Sequence, residues 1–264
     1  MGRRHECRRG TQECVRHQSG DAMKFFGASD PGRQRSNNED AWTVDAGLQV
    51  AILADGMGGA SCGEVASAIT IQSVLEYLHA PEGGLSAEEL AKEAVREANR
   101  RVLECAAARQ ECDGMGSTVV VVLWRGTSAV IANAGDSRAY LFRAGELRQL
   151  TYDQNFANEL RTKLGFSEEQ LRVMPNRNVL TMAVGTFEQI LTRTQMEELQ
   201  PGDQILLCSD GLHGPVAETT IAEWLSRDAS LQDKVEALIA AANQAGGPDN
   251  VTAVLLQYEN ENDG

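Results

Sequence analysis

The stretch VAILADGMGG, residues 50–59, sets the terms for the whole chain. Five apolar or small residues run into Asp55, and the chain then turns through Gly56, Gly58 and Gly59. A short apolar run bounded by glycines reads as a buried strand. A carboxylate at the end of such a strand is costly to desolvate unless something pairs with it. Working outward, AWTV (41–44) and LQVAILA (48–54) read as strands paired around a turn at Asp45–Gly47. Ser61 and Glu64 form a capping box, and the helix it opens is expected to bury Val65, Ala68, Ile69, Leu75 and Leu78. Ser86 and Glu89 repeat the device before Leu90, Ala94, Ala98, Val102 and Ala106.

Four strand-like segments follow at 117–124, 128–134, 138–143 and 146–150, jointed at Gly126, Gly135 and Gly145. Their short loops predict an antiparallel meander. Residues 154–171 have a polar helical pattern that ends at Pro175–Asn176. QILLCS (204–209) reads as a buried strand. Ser230 caps a helix bearing Leu231, Val235, Leu238, Ile239 and Ala242, and VTAVLLQY (251–258) is a closing strand. Strands, helices, strands and helices in blocks predict an α+β fold of two mostly antiparallel sheets, face to face, with helices outside.

One domain, residues 23–260, is enough for a chain of 264 residues with 42% apolar content. Residues 1–22 contain a single large aliphatic, Val15, and are expected to be a disordered tail, and 261–264 are a C-terminal tail. Met23 is an alternative start. His5, Cys7, Cys14 and His17 match no zinc spacing. No apolar run nears the roughly 20 residues that cross a bilayer, and the N-terminal arginines precede no apolar core, so a cytoplasmic protein without membrane contact is expected. The six cysteines show no CxxC pair, and reduced thiols are expected. The net charge is −14. Residues 1–22 are net +2, which leaves −16 on the remainder. Such a body repels phosphate backbones and excludes nucleic acid as a natural partner.

The opening pattern recurs. ILLCSDGLHG (205–214) carries a strand into Asp210, and GGPDNVTAVLL (246–256) sets Asp249 and Asn250 before one. NNEDAWTV (37–44) does the same with Glu39 and Asp40, and ANAGDSRAYLF (132–142) puts Asp136 in a turn. One such aspartate is ordinary turn chemistry. Five together, gathered at one sheet edge, cannot all stay ionised without counter-charge. Mg²⁺ or Mn²⁺ suits an all-oxygen set, with the Gly56 carbonyl free to join it. Two ions about 3.5–4 Å apart would use this many acids, and the matching substrate is a phosphate ester gripped by Arg35.

RSNNEDAW (35–42), ADGMGG (54–59), GSTVVV (116–121), NAGDSRAYL (133–141), RNVLTMAVG (177–185), LLCSDGL (206–212) and GGPDNVTAVLL (246–256) occur in the order seen in the metal-dependent type 2C serine/threonine phosphatases. Over residues 25–258 the chain resembles the compact bacterial members most. The resemblance implies an α/β/β/α sandwich and hydrolysis of phosphoserine and phosphothreonine in proteins, opposing a Ser/Thr kinase. It implies that Asp55 bridges two Mn²⁺ or Mg²⁺ ions and that Asp210 and Asp249 complete the first site. Glu39 and the Gly56 carbonyl then serve the second site, and Asp136 with Asp210 holds a third, weaker ion. Asp40 lies beside them, Asn250 orients Asp249, and Arg35 holds the phosphate while a metal-bridging hydroxide attacks it. Residues 152–176 correspond to the variable flap, and a monomer is expected. Met57 stands where many members carry a histidine acid, with His213 as an alternative donor. Gln154 and Met182 stand where histidine and arginine are common. A non-catalytic phosphoprotein sensor and a phosphatase of small esters are the competing readings.

Overall fold

The computed structural model describes residues 23–58, 62–81 and 83–259. The expectations for the two tails, for zinc near His5 and for the Ser61 cap lie outside the described residues. Strand β3 (Val50–Met57), the stretch quoted first, lies in a sheet with β2 (Asp40–Asp45), β5 (Val119–Arg125), β6 (Ser128–Ala134) and β9 (Arg193–Glu198). The order is β2-β3-β5-β6-β9, and short β4 (Gly116–Ser117) adds to β3. The second sheet is β1-β11-β10-β7-β8, built from β1 (Met23–Asp30), β7 (Arg138–Arg143), β8 (Glu146–Gln149), β10 (Gln204–Cys208) and β11 (Val251–Tyr258). Every pairing is antiparallel.

Period-two alternation explains why the strands read as unbroken apolar runs. In β3, Ala51 and Leu53 face the space between the sheets, while Val50 and Ile52 face helices. In β5, Val120, Val122 and Trp124 point inward, and Val119, Val121 and Leu123 point out to α1 (Cys62–His79) and α2 (Ala87–Ala108). In β11, Val254 and Leu256 meet the opposite sheet, while Val251, Ala253 and Leu255 pack under α6 (Glu218–Leu225) and α7 (Leu231–Gln244). Both faces of each sheet are covered, so neither face needs polar residues. The expected α/β/β/α sandwich is the observed one.

Three expectations are corrected. The segments 117–150 do not form one meander. β5 and β6 belong to one sheet, β7 and β8 to the other, and the chain crosses between them at Gly135–Ser137. Gly135 has φ +105°, and a Cβ there would meet Thr118. A turn that tight can join sheets as well as neighbours, and sequence does not separate the two.

Helix α1 buries Ala66, Ser67, Thr70, Ser73 and Val74 with Leu78, whereas Val65, Ile69 and Leu75 are only half-buried and Ala68 is exposed. Small side chains bring this helix close to the sheet. Their hydroxyls are satisfied locally, Thr70 donating to the Ala66 carbonyl at 2.8 Å.

The cysteines are not all reduced. Cys62 and Cys112, 50 residues apart, form a disulfide with a Cα–Cα distance of 5.4 Å. Among the described residues Cys105 and Cys208 are free. The pairing depends on α1 and α2 packing side by side, which spacing alone does not reveal. The capping box at Ser86–Glu89 and the Ser230 cap form as expected. Strands β1 and β9 and helices α5 (Asp210–His213) and α6 were not foreseen. No described helix is long and apolar enough to cross a membrane.

Candidate metal centre

Register brings the acidic strand ends to one edge. Asp40 opens β2 directly across from Asp55 in β3. Cys208, the end of β10, pairs with Ala253 on one side and Arg138 on the other. Asp210, Asp249 and Asp136 therefore extend beyond the same edge of the second sheet. Glu39 and Arg35 lie on the connection between β1 and β2, which crosses from one sheet to the other.

The carboxylates of Asp249, Glu39, Asp136 and Asp40 each have hydrogen-bond partners. Arg35 Nη2 donates to Asp249 Oδ2 at 2.7 Å, and the Asn250 backbone N–H donates to Asp249 Oδ1 at 2.8 Å. Asn37 donates to Glu39 Oε1 at 3.0 Å, and Asn155 donates to Asp136 Oδ2 at 3.1 Å. Ser209 and Thr252 hydroxyls donate to Asp40 Oδ2 at 2.8 and 2.6 Å. Thr118 fixes the backbone of Asp55: its hydroxyl accepts from the Asp55 N–H at 3.0 Å and its N–H donates to the Asp55 carbonyl at 2.8 Å. The same hydroxyl pairs with Ser137 at 2.7 Å, tying the Asp136 turn to Asp55. Buried hydroxyls at strand ends are the only sequence trace of Thr118, Ser209 and Thr252. Neither spacing nor composition singles out any of the three.

Electrostatics show how close the group is. Burial pushes the Asp55 carboxyl well above its ordinary range, and Asp40, Asp210, Asp136 and Asp249 push it further. Asp40 rises to about 7, from burial against the pull of its hydroxyl donors, with Asp210 and Asp249 adding repulsion. Asp136 rises to about 7, from burial and Asp210. Asp210 rises to about 6, from burial and Asp249, with Arg35 opposing. Glu39 and Asp210 in turn act on the Arg35 guanidinium, after Asp249.

Among the described residues no three carboxylate, histidine or cysteine side chains are drawn up as a closed metal cage. The hydrogen bonds above explain this, because they hold Asp249 toward Arg35, Asp136 toward Asn155 and Asp40 toward its hydroxyls. The donor set still fits an oxygen-seeking divalent ion. Asp40 Oδ1 is buried with no hydrogen-bond partner, a condition a cation or its water would relieve. Two glycines shape the wall beside Glu39. A Cβ on Gly56 would fall inside the Gly63 carbonyl, and one on Gly63 would lie 2.5 Å from Glu39 Oε2.

A cavity of about 580 Å³ opens beside the cluster, lined by Asp136, Asp210, Asp249 and His213 and by Arg161 and Arg177 on the far wall. Arg161 lies in the segment expected as the flap, 152–176, which here holds α3 (Phe156–Leu164) and α4 (Glu168–Arg172), and Arg177 follows it. The flap carries exposed Phe156 and Val173.

Residues 32–256 match the family model of protein phosphatase 2C. The chain belongs to that family. Serine/threonine phosphatase stp of Listeria monocytogenes is 35% identical over 237 residues, covering 88% of this chain and 94% of the relative. The crystal structure of the Mycobacterium tuberculosis serine/threonine phosphatase PstP/Ppp superposes with a TM-score of 0.83 at 35% identity, over 90% of this chain and 99% of that one. The catalytic domain of PstP in complex with two manganese ions gives a TM-score of 0.80 at 35% identity, over 90% and 99%. This protein is a serine/threonine protein phosphatase.

The departures noted in the sequence take concrete positions in the phosphatase. Gln154 is buried, accepts from the Gly135 N–H at 2.8 Å and donates to the Leu191 carbonyl at 2.8 Å, so it braces the inter-sheet turn. Met182 accepts from the Leu191 N–H through sulfur at 3.4 Å. His213 Nε2 bonds the Asp136 carbonyl at 3.0 Å, and burial lowers its pKa to about 4. The Asn250 side chain reaches the Arg35 connection, accepting from the Glu39 N–H at 2.8 Å and donating to the Asn37 and Pro31 carbonyls at 2.8 and 3.0 Å. Only its backbone touches Asp249.

Proposed function

We propose that Glu39, Asp55, the Gly56 carbonyl, Asp210 and Asp249 hold a pair of Mn²⁺ or Mg²⁺ ions, and that Asp136 with Asp210 takes a third, weaker one. The observation that carries this reading is the convergence of Asp40, Asp55, Asp136 and Asp210, whose carboxyls stand above their ordinary pKa through burial and mutual repulsion, on Asp249, whose charge repels Asp40, Asp55 and Asp210. Bound ions would supply the counter-charge that lets these acids ionise together, and they would lower the pKa of a water so that it can attack phosphorus at neutral pH. The chain's own groups do the rest. Arg35, half-exposed and paired with Asp249, turns its guanidinium to the substrate phosphate and stabilises charge growing on it. Asp40, steadied by Ser209 and Thr252, presents its free oxygen to the water shell. Substrates are phosphorylated proteins, including products of a Ser/Thr kinase, and the working unit is a monomer.

The test is release of phosphate from a phosphothreonine peptide with Mn²⁺, with EDTA, and with Asp210→Ala. Release that depends on Mn²⁺ and is lost in the other two arms is expected. Activity that survives chelation refutes the ion pair. An inert wild type with Mn²⁺ bound points to a phosphoprotein sensor. Activity confined to small esters removes the protein substrate.

A further inference from the structure

The Cys62–Cys112 bond has no role in the reading above. A domain with three buried apolar clusters does not need a staple to fold. Its position is more informative. Cys62 is the first residue of α1, and the next residue, Gly63, packs its backbone on both Gly56 and the Glu39 carboxylate. Cys112 ends a 3-10 turn (Gln110–Cys112) three residues before Met115, whose side chain would meet a Cβ on Gly58. Gly116 then pairs with Met57 at the end of β3. The bond therefore clamps together the two segments that flank the strand end carrying Asp55 and Gly56.

Both oxidation states can be accommodated. Both cysteines are buried, and the turn that carries Cys112 is exposed at Arg109, Gln110, Glu111, Asp113 and Gly114. When reduced, the Cys62 thiol has an acceptor in place, since its sulfur lies 3.4 Å from the Glu111 carbonyl.

We propose that Cys62 and Cys112 are a reversible thiol–disulfide site that sets divalent-ion affinity at the Glu39–Gly56 end of the cluster. The proposal rests on the ion-binding reading above. Closing the pair forms one S–S bond, and two electrons and two protons pass to a small external disulfide, which leaves as two thiols. A dithiol of the same class reverses the step. With the bond closed, the first turn of α1 is fixed against Glu39 and Gly56. With it open, that wall loosens and ions bind less tightly.

Coupling of this kind is reciprocal. If oxidation tightens Mn²⁺ binding about fivefold, within the usual range of such coupling, saturating Mn²⁺ must make the disulfide harder to reduce by the same factor. For a two-electron couple at about 29.6 mV per tenfold, that is a shift of about 21 mV to lower potential. The experiment equilibrates the full-length chain in glutathione buffers of graded potential, with and without Mn²⁺. Reduced thiols are alkylated, and peptides containing Cys62 and Cys112 are quantified by mass; Cys105 and Cys208 serve as internal controls. In parallel, the Mn²⁺ concentration for half-maximal hydrolysis is measured for oxidised wild type, reduced wild type and Cys62→Ser/Cys112→Ser. A potential that falls with Mn²⁺, together with a half-maximal concentration about fivefold higher in the reduced protein and the double variant, supports the proposal. A potential unmoved by Mn²⁺ overturns it and leaves a structural cross-link. Cysteines that stay reduced in oxidising buffer overturn it as well. Hydrolysis indifferent to Mn²⁺ in every redox state brings down the ion-binding reading itself, and the proposal with it.

Discussion

Gly63→Ala separates ion binding from folding. Gly63 is the second residue of α1, and an added Cβ would lie 2.5 Å from Glu39 Oε2, 2.6 Å from Glu39 Cδ and 3.0 Å from the Gly56 carbonyl carbon. Real Cβ contacts essentially stop at 3.0 Å, so the Glu39 carboxylate has to retreat by at least 0.5 Å. Its side-chain bond comes from Asn37, two residues away on the same connection, so the retreat disturbs no packing between elements. Helix propensity favours the change, since alanine is about 0.8–1 kcal/mol better than glycine within a helix. Ligand distances in metal sites hold to about 0.2 Å, and disturbing the groups that orient a ligand costs about 10–100-fold in affinity. That is about 1.4–2.7 kcal/mol at the Glu39 position. The assay is a Mn²⁺ titration followed both by calorimetry and by hydrolysis of a phosphothreonine peptide, with the melting temperature taken in EDTA. The expected variant melts within a few degrees of wild type, weakens the Mn²⁺ event at the Glu39–Gly56 site by 10-fold or more, and recovers hydrolysis when Mn²⁺ is raised. A folded variant whose Mn²⁺ isotherm and activity curve match wild type refutes the placement of Glu39 at the ion site.

The remaining predictions concern pH and stability. Asp40, Asp136 and Asp210 have folded-state pKa values near 7, 7 and 6 against an unfolded value of 3.8. Between those limits the folded state binds more protons than the unfolded chain, so ion-free stability falls as pH rises, by up to about 1.4 kcal/mol per pH unit per group. Melting in EDTA is expected to be higher at pH 5.5 than at pH 7.5, with Mn²⁺ restoring the loss at pH 7.5; a flat ion-free profile contradicts the crowding of these acids. Asn250→Ala removes three side-chain hydrogen bonds to the Arg35 connection. It is expected to cost about 2–4 kcal/mol in urea unfolding and to raise the KM for phosphopeptide, and an unchanged KM argues that Arg35 does not need this support. Reducing the 50-residue Cys62–Cys112 loop is expected to lower unfolding free energy by about 4 kcal/mol on the chain-entropy account; a loss below about 1 kcal/mol means that the unfolded chain is not loosened by reduction.

What was legible in the sequence follows from local rules. The capping box at Ser86–Glu89, the Ser230 cap and the apolar strands at 50–57, 204–208 and 251–258 show in patterns of a few neighbouring residues. The recurrence of aspartate at strand ends gave Asp55, Asp136, Asp210 and Asp249, since a carboxylate in that position is costly unless shared. Strands β1 and β9 escaped because MKFFGASD and RTQMEE lack a clear two-residue alternation, and their pairing partners lie far along the chain. The buried face of α1 departs from its hydrophobic pattern because close packing on the sheet selects Ala66, Ser67 and Ser73.

By itself, the sequence determined the capped helices, the apolar strands at 50–57, 204–208 and 251–258 and the acids that end them, because those show in spacings of a few residues. Only the tertiary structure decided that the chain changes sheets at Gly135, that Cys62 meets Cys112, and that Thr118, Ser209 and Thr252 steady the acids. Each of these joins segments dozens to hundreds of residues apart. Such contacts become favourable only after packing has met the entropic cost of bringing the ends together, and no local pattern records which ends will meet.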